Sequence, residues 1–342
     1  MPNATEETFL GCLLGLAIGD ALGMPIEGFA PARISTEFGT IDRYHGKTFA
    51  DETAIKAGEF TDETEIALCI VESLTTNTGE IDVENIGSRL LYLARGESKR
   101  WMSADTLAAL TRADETLAFE VAIDEDGPAT GEVASRGVPI GLFHAVGDFS
   151  PEQLRQDIAA VVRLTHGSPA ASAAALAVAY GVRLAARGET PRHQWASETA
   201  TFLGSGEVAD GLRRLDDLLA SDRPLGETLA IIGTGPAAPE AVPAAFAAAM
   251  AASVFEEAVF AAANAGGDTD TVGAIAGALA GAAEGASGIP QGLIDDLEGR
   301  IYISLAAPWF YRAARQHAGL AIAPGPWDLG SAPPRPSFPP RI

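Results

Sequence analysis

A pair of aspartates stands where a strongly apolar segment begins. In NAGGDTDTVGAIAGALAG, residues 264–281, Asp268 and Asp270 alternate with threonines, and no other charge follows until Glu284. Aspartate and threonine at a helix start commonly cap free backbone N–H groups and suit the helix dipole. Capping accounts for only one of the two carboxylates. A buried carboxylate without a capping role needs a cation or good hydrogen bonds.

A second acidic cluster has the same character. Thr61, Asp62 and Glu63 open another apolar helical segment, within GEFTDETEIALCIVESL. Carboxylate and hydroxyl oxygens are the ligands that Mg²⁺ and Mn²⁺ prefer, and the absence of nearby His or Cys disfavours zinc. Two such clusters brought together would hold two metal ions about 3.5–4 Å apart, as in two-metal hydrolases. From these residues alone, a metal site and simple helix capping are equally favoured.

Two segments carry a glycine at every fourth position, which places the glycines on one face of each helix. They are Gly11, Gly15, Gly19 and Gly23 in the first segment and Gly273, Gly277 and Gly281 in the second. Each glycine costs a helix roughly 1 kcal/mol, and close approach of two backbones would offset that cost. The alternative is a genome biased towards alanine and glycine. We predict that the two faces lie near the protein centre, against each other.

Most of the chain has the apolar periodicity of helices, and strand signals are scarce apart from a turn at YHGKT. The predicted helices are 7–23, 62–76, 83–95, 103–118, 151–164, 169–186, 208–220, 241–263, 271–284 and 290–305. We find no linker that would split the chain. The sequence therefore predicts an all-α protein with one domain over residues 1–330 and a Pro-rich tail over 331–342.

Composition narrows the class of protein. The 342 residues are 47% hydrophobic and 20% charged, which is typical of a globular chain, and the formal net charge is -23. This charge disfavours nucleic acid and anionic membranes as partners. Cys12 and Cys69 lie in apolar helical patterns and are expected to be buried free thiols, as in a reducing compartment. Because the N-terminus lacks the basic region of a signal peptide, we expect a cytoplasmic protein. We also expect it to be a monomer or a weak dimer.

The motifs resemble those of the ADP-ribosylglycohydrolase family, which includes dinitrogenase-reductase-activating glycohydrolase and the eukaryotic ADP-ribosylhydrolases. GCLLGLAIGDALGMPIEG is similar to the family's opening helix and G-D-x-x-G-x-x-x-E loop, and FTDET stands where the family has T-D-D-T. THGSPAASAAALAVA resembles the H-x-x-P helix. The most specific match is FEEAVFAAANAGGDTDTVGAIAGALAGAAEG, close to the long C-terminal motif. The resemblance covers most of the chain and implies a compact orthogonal bundle of helices.

The resemblance also implies roles for individual residues. Two divalent cations, Mg²⁺ or Mn²⁺, would be held by Thr61, Asp62, Glu63, Asp268, Asp270 and Thr271. The residues expected near bound ADP-ribose are Gly131, Glu132, Ser135, Arg136, His166, Gly167, Ser168 and Gly233, the last towards the adenine. Glu27 would lie on a mobile acidic loop over the site.

The activity that the resemblance implies is cleavage of the glycosidic bond at the anomeric carbon of ADP-ribose, which frees it from a protein side chain or small acceptor. Our hypothesis is that a metal-held water attacks this carbon while Asp62 or Asp268 accepts its proton. Glu27 would gate the site or protonate the leaving group. The alternatives are a weakly active or inactive ADP-ribose sensor or immunity protein, and a hydrolase of another N-glycosidic substrate.

Two residues depart from the family pattern at the site. Glu63 replaces the third residue of T-D-D-T and is longer by one methylene, and Glu132 places a negative charge in a loop that is glycine-asparagine-glycine in the family. Glu132 would oppose a diphosphate nearby. Other roles are open for three residues: Glu27 as an exposed loop acid, His166 as a helix cap or core histidine, and Arg136 as the partner of Glu132 or a buried acid.

Overall fold

Helices dominate the computed structural model, which describes residues 4–50, 52–116, 118–121, 124, 127, 129–221 and 223–321. The α-helices are α1 Glu6–Gly23, α2 Pro31–Glu37, α3 Asp62–Thr76, α4 Val83–Arg95, α5 Ala104–Thr116, α6 Gly137–Phe143, α7 Pro151–Val162, α8 Pro169–Arg187, α9 Trp195–Leu203, α10 Glu207–Leu219, α11 Leu225–Ile232, α12 Ala238–Ala251, α13 Phe255–Asn264, α14 Thr269–Glu284, α15 Gln291–Asp295 and α16 Arg300–His317. The strands β1 Lys47–Thr48 and β2 Ala54–Ile55 form a small antiparallel hairpin. The predicted all-α class is confirmed.

The centre of the fold is an antiparallel pair formed by α1 and α14. A Cβ atom added to Gly15 would lie 2.1 Å from the Gly277 carbonyl oxygen, and one added to Gly277 would lie 2.0 Å from the Gly15 carbonyl oxygen. Gly19 faces Gly273 in the same way. The two backbones therefore touch directly, which confirms the prediction made from the glycine spacing.

Both central helices are buried almost throughout, because other helices cover every side of the pair. Helices α8, α12 and α13 pack against α14, and α13 and α16 pack against α1. The contacts are filled mainly by alanine and aromatic side chains, such as the fully buried Phe9, Phe246, Phe255 and Phe310. The buried apolar residues form a continuous cluster that extends from Ala4 to Ala314.

Two segments, Glu6–Ile26 and Pro169–Arg187, have the length and hydropathy of a membrane span. The fold accounts for that composition, because 94% of the first window and 67% of the second are buried inside the protein. Cys12 and Cys69 are free, buried thiols, as expected. Burial raises the pKa of Cys69 to about 12, so this thiol stays protonated at neutral pH.

Ten predicted helical segments correspond to helices, with two corrections. The predicted helix 241–263 is divided into α12 and α13, where the Ser253 amide donates to the Glu257 carboxylate at 2.7 Å. The segment 290–305 is divided into α15 and α16 at Gly299, which has a left-handed φ of 68°. Sequence reasoning also missed the short helices α2, α6, α9 and α11. The predicted tail, residues 331–342, lies outside the described residues.

The glycine contact gives a direct stability prediction. Gly277→Ala should lower the free energy of unfolding by about 3 kcal/mol, because the new methyl group overlaps the α1 backbone and forces the helices apart. Chemical denaturation followed by circular dichroism measures this change. The control is Gly226→Ala in α11, where an added Cβ meets no atom within 4 Å and improved helix propensity makes the change neutral or favourable. Equal effects of both substitutions would contradict the packing argument.

Candidate active site

A pocket of about 210 Å³ lies where the N-termini of α3 and α14 meet. Half of its described lining residues are acidic, and the others are three hydroxyl residues, a tryptophan, a methionine and a proline: Met24, Glu27, Asp62, Glu63, Trp101, Ser103, Thr130, Glu132, Pro236, Asp268, Asp270 and Thr271. The two acidic clusters found in the sequence therefore form one site. Of the six predicted metal ligands, five line this pocket, and Thr61 lies behind it, buried.

A glycine pair holds the Glu27 loop against the start of α14. Gly266 and Gly267 adopt left-handed φ values of 71° and 79°. The Gly28 amide donates to the Gly267 carbonyl at 2.8 Å, and the Gly267 amide donates to Phe29 at 3.0 Å. A Cβ at Gly267 would lie 2.1 Å from a backbone oxygen, so glycine is required by both conformation and space. This turn carries Asp268 into the pocket opposite Glu27.

Asp20 anchors the first acidic cluster. Its carboxylate is fully buried and accepts hydrogen bonds from the backbone amides and hydroxyls of Thr61 and Thr64, at 2.6 to 3.2 Å. Burial raises the pKa of Asp20 to about 6 even though all four hydrogen bonds lower it. Since Asp20 lies in the last turn of α1, next to Gly19 of the glycine face, it fixes the start of α3 relative to the central helix pair. Asp20 belongs to the G-D motif of the sequence, but its anchoring role was not predicted.

Glu63 connects the two helix starts. Its carboxylate accepts a hydrogen bond from the Thr271 hydroxyl at 2.9 Å and another from the Thr61 hydroxyl at 3.3 Å. The extra methylene of Glu63 therefore spans from α3 to α14. This arrangement keeps the carboxylate in the pocket, at the position where the family motif carries aspartate.

Several features of the pocket fit divalent cations. Glu27, Asp268 and Asp270 each offer an oxygen, and these atoms lie within 4.8 Å of one another. The Oδ1 atom of Asp270 is buried and has no hydrogen-bond donor within the described residues. Hard oxygen donors with an unsatisfied buried carboxylate suit Mg²⁺ or Mn²⁺. The residues at the start of α14, together with Glu27, therefore fit a divalent cation, and the wider set of two ions remains a prediction.

Electrostatics lead to the same conclusion. Burial and then the charges of neighbouring carboxylates raise the pKa values of Asp62, Glu63 and Asp270 well above their ordinary range. Burial also raises the pKa of Asp268 to about 6. Without cations, this cluster favours bound protons, because several carboxylates are crowded in a medium of low polarity. A bound cation would displace those protons.

Glu132 forms a fixed anionic wall of the pocket. Its Oε1 accepts hydrogen bonds from Ser103 at 2.7 Å and Thr106 at 3.2 Å, and it lies 3.2 Å from His166 Nε2. Burial raises the pKa of Glu132, but the close approach of His166, the hydrogen bond from Ser103 and the charge of Arg136 outweigh burial and leave the pKa below its usual value. Glu132 is therefore held ionised, unlike the carboxylates of the opposite wall.

Arg136 lies behind this wall and is only 2% exposed. Its guanidinium donates to the hydroxyls of Thr106 and Thr165. The negative charges of Glu132, Asp62 and Glu63 favour the charged form of Arg136, although burial lowers its pKa overall. The structure thus places Arg136 as an internal counterion, which was the other role considered for it, and away from the pocket surface.

The remaining predicted substrate residues lie at varying distances from the pocket. Gly131 adjoins it, since an added Cβ would lie 3.0 Å from Asp268 Oδ2. Ser135 is buried and donates to the Glu132 carbonyl. His166 is buried between Thr165 and Glu132, at 2.8 and 3.2 Å.

Three of these residues are engaged elsewhere in the fold. Ser168 caps α8 and donates to the Gly127 carbonyl at 2.7 Å, and the Gly167 carbonyl accepts from Asp124. Gly233 lines a separate cavity of about 480 Å³ near Asn264. Trp101 and Ser103 line the acidic pocket itself and were missed, because neither belongs to a charged motif.

An all-α fold with an acidic, oxygen-rich pocket between two helix starts defines a class of proteins suited to binding divalent cations. The chain matches the ADP-ribosylglycohydrolase family over residues 1–320 and belongs to that family. A solved structure titled "ADP-ribosylglycohydrolase-related protein complex" superposes with a TM-score of 0.72 at 29% sequence identity, covering 90% of this chain and 98% of the other. The expected family and fold are confirmed.

Three relatives found by sequence similarity are consistent with this family membership. The uncharacterised protein YegU of Escherichia coli K12 is 30% identical over 287 residues, covering 78% of this chain and 85% of YegU. ADP-ribosyl-[dinitrogen reductase] glycohydrolase of Rhodospirillum rubrum is 29% identical over 174 residues, covering 51% of this chain and 56% of the relative. An uncharacterised Archaeoglobus fulgidus protein is 34% identical over 180 residues, 52% of this chain and 55% of its own. The family evidence supports a hydrolase of the glycohydrolase type.

The role of Asp20 can be tested by substitution. Asp20→Asn should lower the melting temperature and weaken Mn²⁺ binding by about tenfold, because the Thr61 and Thr64 donors lose a charged acceptor and the start of α3 moves. Differential scanning calorimetry and isothermal titration calorimetry measure the two effects. Asp217→Asn, at an exposed position on α10, is the matched control. Unchanged Mn²⁺ affinity in Asp20→Asn would refute the anchoring role.

The raised carboxylate pKa values predict how stability depends on pH. Asp20 and Asp268 have ordinary pKa values of 3.8 and folded-state values of about 6. Between these pH values the folded protein therefore binds more protons than the unfolded chain. Stability of the metal-free protein should therefore fall as pH rises through this window, from about pH 4 to above 6. Saturating Mg²⁺ or Mn²⁺ should remove most of this loss. Melting curves in chelator and in metal check it, and parallel pH profiles would contradict it.

Proposed function

We propose that the protein is a metal-dependent hydrolase that cleaves the glycosidic bond between ADP-ribose and a protein side chain or small acceptor. The observation that carries this proposal is the meeting of two acidic helix starts in one pocket, with a buried Asp270 oxygen that has no donor among the described residues. Membership of a glycohydrolase family supports the reaction class.

Two cations, Mg²⁺ or Mn²⁺, would be held by residues of the two clusters: Thr61, Asp62, Glu63, Asp268, Asp270 and Thr271. Such ions, when bound, supply Lewis acidity and orient the ribose hydroxyls and a nucleophilic water. The mixed carboxylate and hydroxyl donor set supports this assignment, because harder oxygen ligands favour these ions over zinc. Acidic side chains of the protein would then accept and donate the protons of the reaction.

Asp268 is suited to accept a proton, because burial raises its pKa to about 6, close to neutral pH. Glu27 lies at the solvent side of the pocket, where desolvation raises the pKa of its carboxyl and Lys47 opposes that shift. A carboxyl with a raised pKa can protonate a leaving group that exits through the mouth. The wall of Glu132 would accept hydrogen bonds from substrate hydroxyl or amine groups.

Glu132 also favours a second candidate function. An ionised carboxylate fixed inside the pocket repels phosphate, so a substrate with a neutral or cationic group at this wall would fit better. We therefore keep a hydrolase of another N-glycosidic substrate as the alternative. The two candidates differ in whether a diphosphate is needed for turnover.

The test is hydrolysis of a small panel of substrates. The protein is incubated with ADP-ribosylated arginine, ADP-ribosylated serine and ADP-ribosylated nucleobases, and with the matching phosphate-free ribosides, in Mg²⁺, Mn²⁺ or chelator. Metal-dependent release of ADP-ribose is expected. Release from ribosides alone would establish the alternative, and ADP-ribose binding without release from any substrate would refute the hydrolase.

Two substitutions test the metal ligands. Asp268→Asn and Asp270→Asn should each reduce metal binding and hydrolysis by at least about a hundredfold, since each removes a charged oxygen ligand. Because Asp270→Asn also removes a carboxylate crowded by its neighbours, the metal-free variant should melt no lower than the wild type. That result separates lost chemistry from lost folding. Metal content and activity that survive both substitutions, as in Asp217→Asn, would refute the site.

A further inference from the structure

Lys47 is a cation held in an aromatic setting near the mouth of the candidate active site. Its ammonium lies 4.3 Å from the centre of the Phe29 ring and 4.7 Å from the centre of the Phe49 ring. Phe49 in turn packs against Trp101 with ring centres 5.7 Å apart, and Trp101 lines the acidic pocket. The side chain is thus placed at the rim by rings on two separate segments.

The hairpin directs Lys47 inward. Lys47 is paired with Ile55 across the two strands, and directly opposite residues share one face of a hairpin. Ile55 is 2% exposed, so this face packs onto the body of the protein. Lys56 directly follows Ile55. Because side chains alternate between the two faces of a strand, Lys56 lies on the opposite face of the hairpin, and it is exposed.

Lys47 differs from the other cations at the rim because it forms no salt bridge with any described residue, and Glu27 and Glu37 act on its ammonium only from beyond salt-bridge distance. Arg33, which also lies over Phe29, pairs with Glu37 at 2.6 Å. Arg100, which lies over Trp101, pairs with Glu59 at 2.6 Å. Within the described part of the chain, no salt bridge to Lys47 is found. Such a cation is notable in a chain with only three lysines and a net charge of -23.

We propose that Lys47 is the anion subsite of this pocket and receives a phosphate of the substrate at its mouth. The inference rests on the proposed function, because it places the phosphates of an ADP-ribosyl group relative to the acidic pocket. The charge distribution favours the position of Lys47 over the inner pocket, since Glu132 holds a negative charge in the wall that it forms with Ser103 and His166. The ribose and leaving group would then enter the acidic pocket, with phosphate held at the rim.

A different role for Lys47 would be to neutralise Glu27, with which it interacts electrostatically. The two roles have different consequences. A partner of Glu27 would alter the affinity of the pocket for metal, whereas a phosphate subsite would alter the affinity for anionic ligands. The experiment therefore measures both affinities on the same variants.

The test uses Lys47→Met, which keeps the aliphatic packing on the two rings and removes the charge. The dissociation constant for ADP-ribose, measured by isothermal titration calorimetry on the metal-loaded full chain, should rise about tenfold. Lys47→Arg should restore most of the affinity. Binding of adenosine, which has no phosphate, and of Mn²⁺ should not change. The matched control is Lys56→Met, which removes the same charge from the other face of the hairpin and should bind ADP-ribose normally.

Four results would overturn the inference. Normal ADP-ribose affinity in Lys47→Met would do so, with the proposed function left intact. Equal losses of ADP-ribose and adenosine binding, or a change in Mn²⁺ affinity alone, would show a structural role or a Glu27 partner. Failure of the wild type to bind ADP-ribose would refute the proposed function as well, and it is seen before any variant is made. Melting temperatures confirm that each variant is folded.

Discussion

The direct backbone contact between α1 and α14 is the constraint on which the site depends. Where Gly19 meets Gly273, no side chain separates the helices, so their spacing and register are set by backbone atoms. The contact continues to the ends of both helices, where the Thr269 hydroxyl donates to the Gly23 carbonyl at 2.8 Å. One end of this pair carries Asp20 and the loop to Glu27. The geometry of the acidic pocket therefore follows from a contact that extends along the core.

The acids at this end of the pair have two different roles, which their hydrogen bonds distinguish. Asp20 has donors for both oxygens, all from the start of α3, and does not line the pocket among the described residues. Asp270 is equally buried but leaves one oxygen without a donor. A fully bonded buried carboxylate positions other groups, whereas an unsatisfied one suits an external cation. Composition alone could not separate these roles, since both are aspartates near apolar helix segments.

The sequence could predict most of the helices from local patterns, whereas the meeting of the two acidic clusters was implied only by the family resemblance. Glycine spacing and capping residues are visible in single segments. The division between α12 and α13 was hidden, since alanine and other apolar residues continue through it and only Glu257 marks the break. The setting of Lys47 was also hidden. Its ammonium lies over Phe29, which comes from a separate segment, and tertiary packing alone brings the two together.

Charge inside the site is arranged by distance from the mouth. Contacts with His166 and Ser103, and then the charge of the buried Arg136, lower the pKa of Glu132, so the inner wall favours a negative charge. The acids of the opposite wall instead have raised pKa values and can exchange protons for cations. The ammonium of Lys47 lies near the mouth, over Phe29 and Phe49, and forms no salt bridge among the described residues. A substrate of the proposed class carries phosphate at one end and ribose hydroxyls at the other, and it would place its phosphate towards Lys47 and its hydroxyls towards the acidic pocket. A cation at the mouth would then offset locally the repulsion that a net charge of -23 exerts on such a ligand.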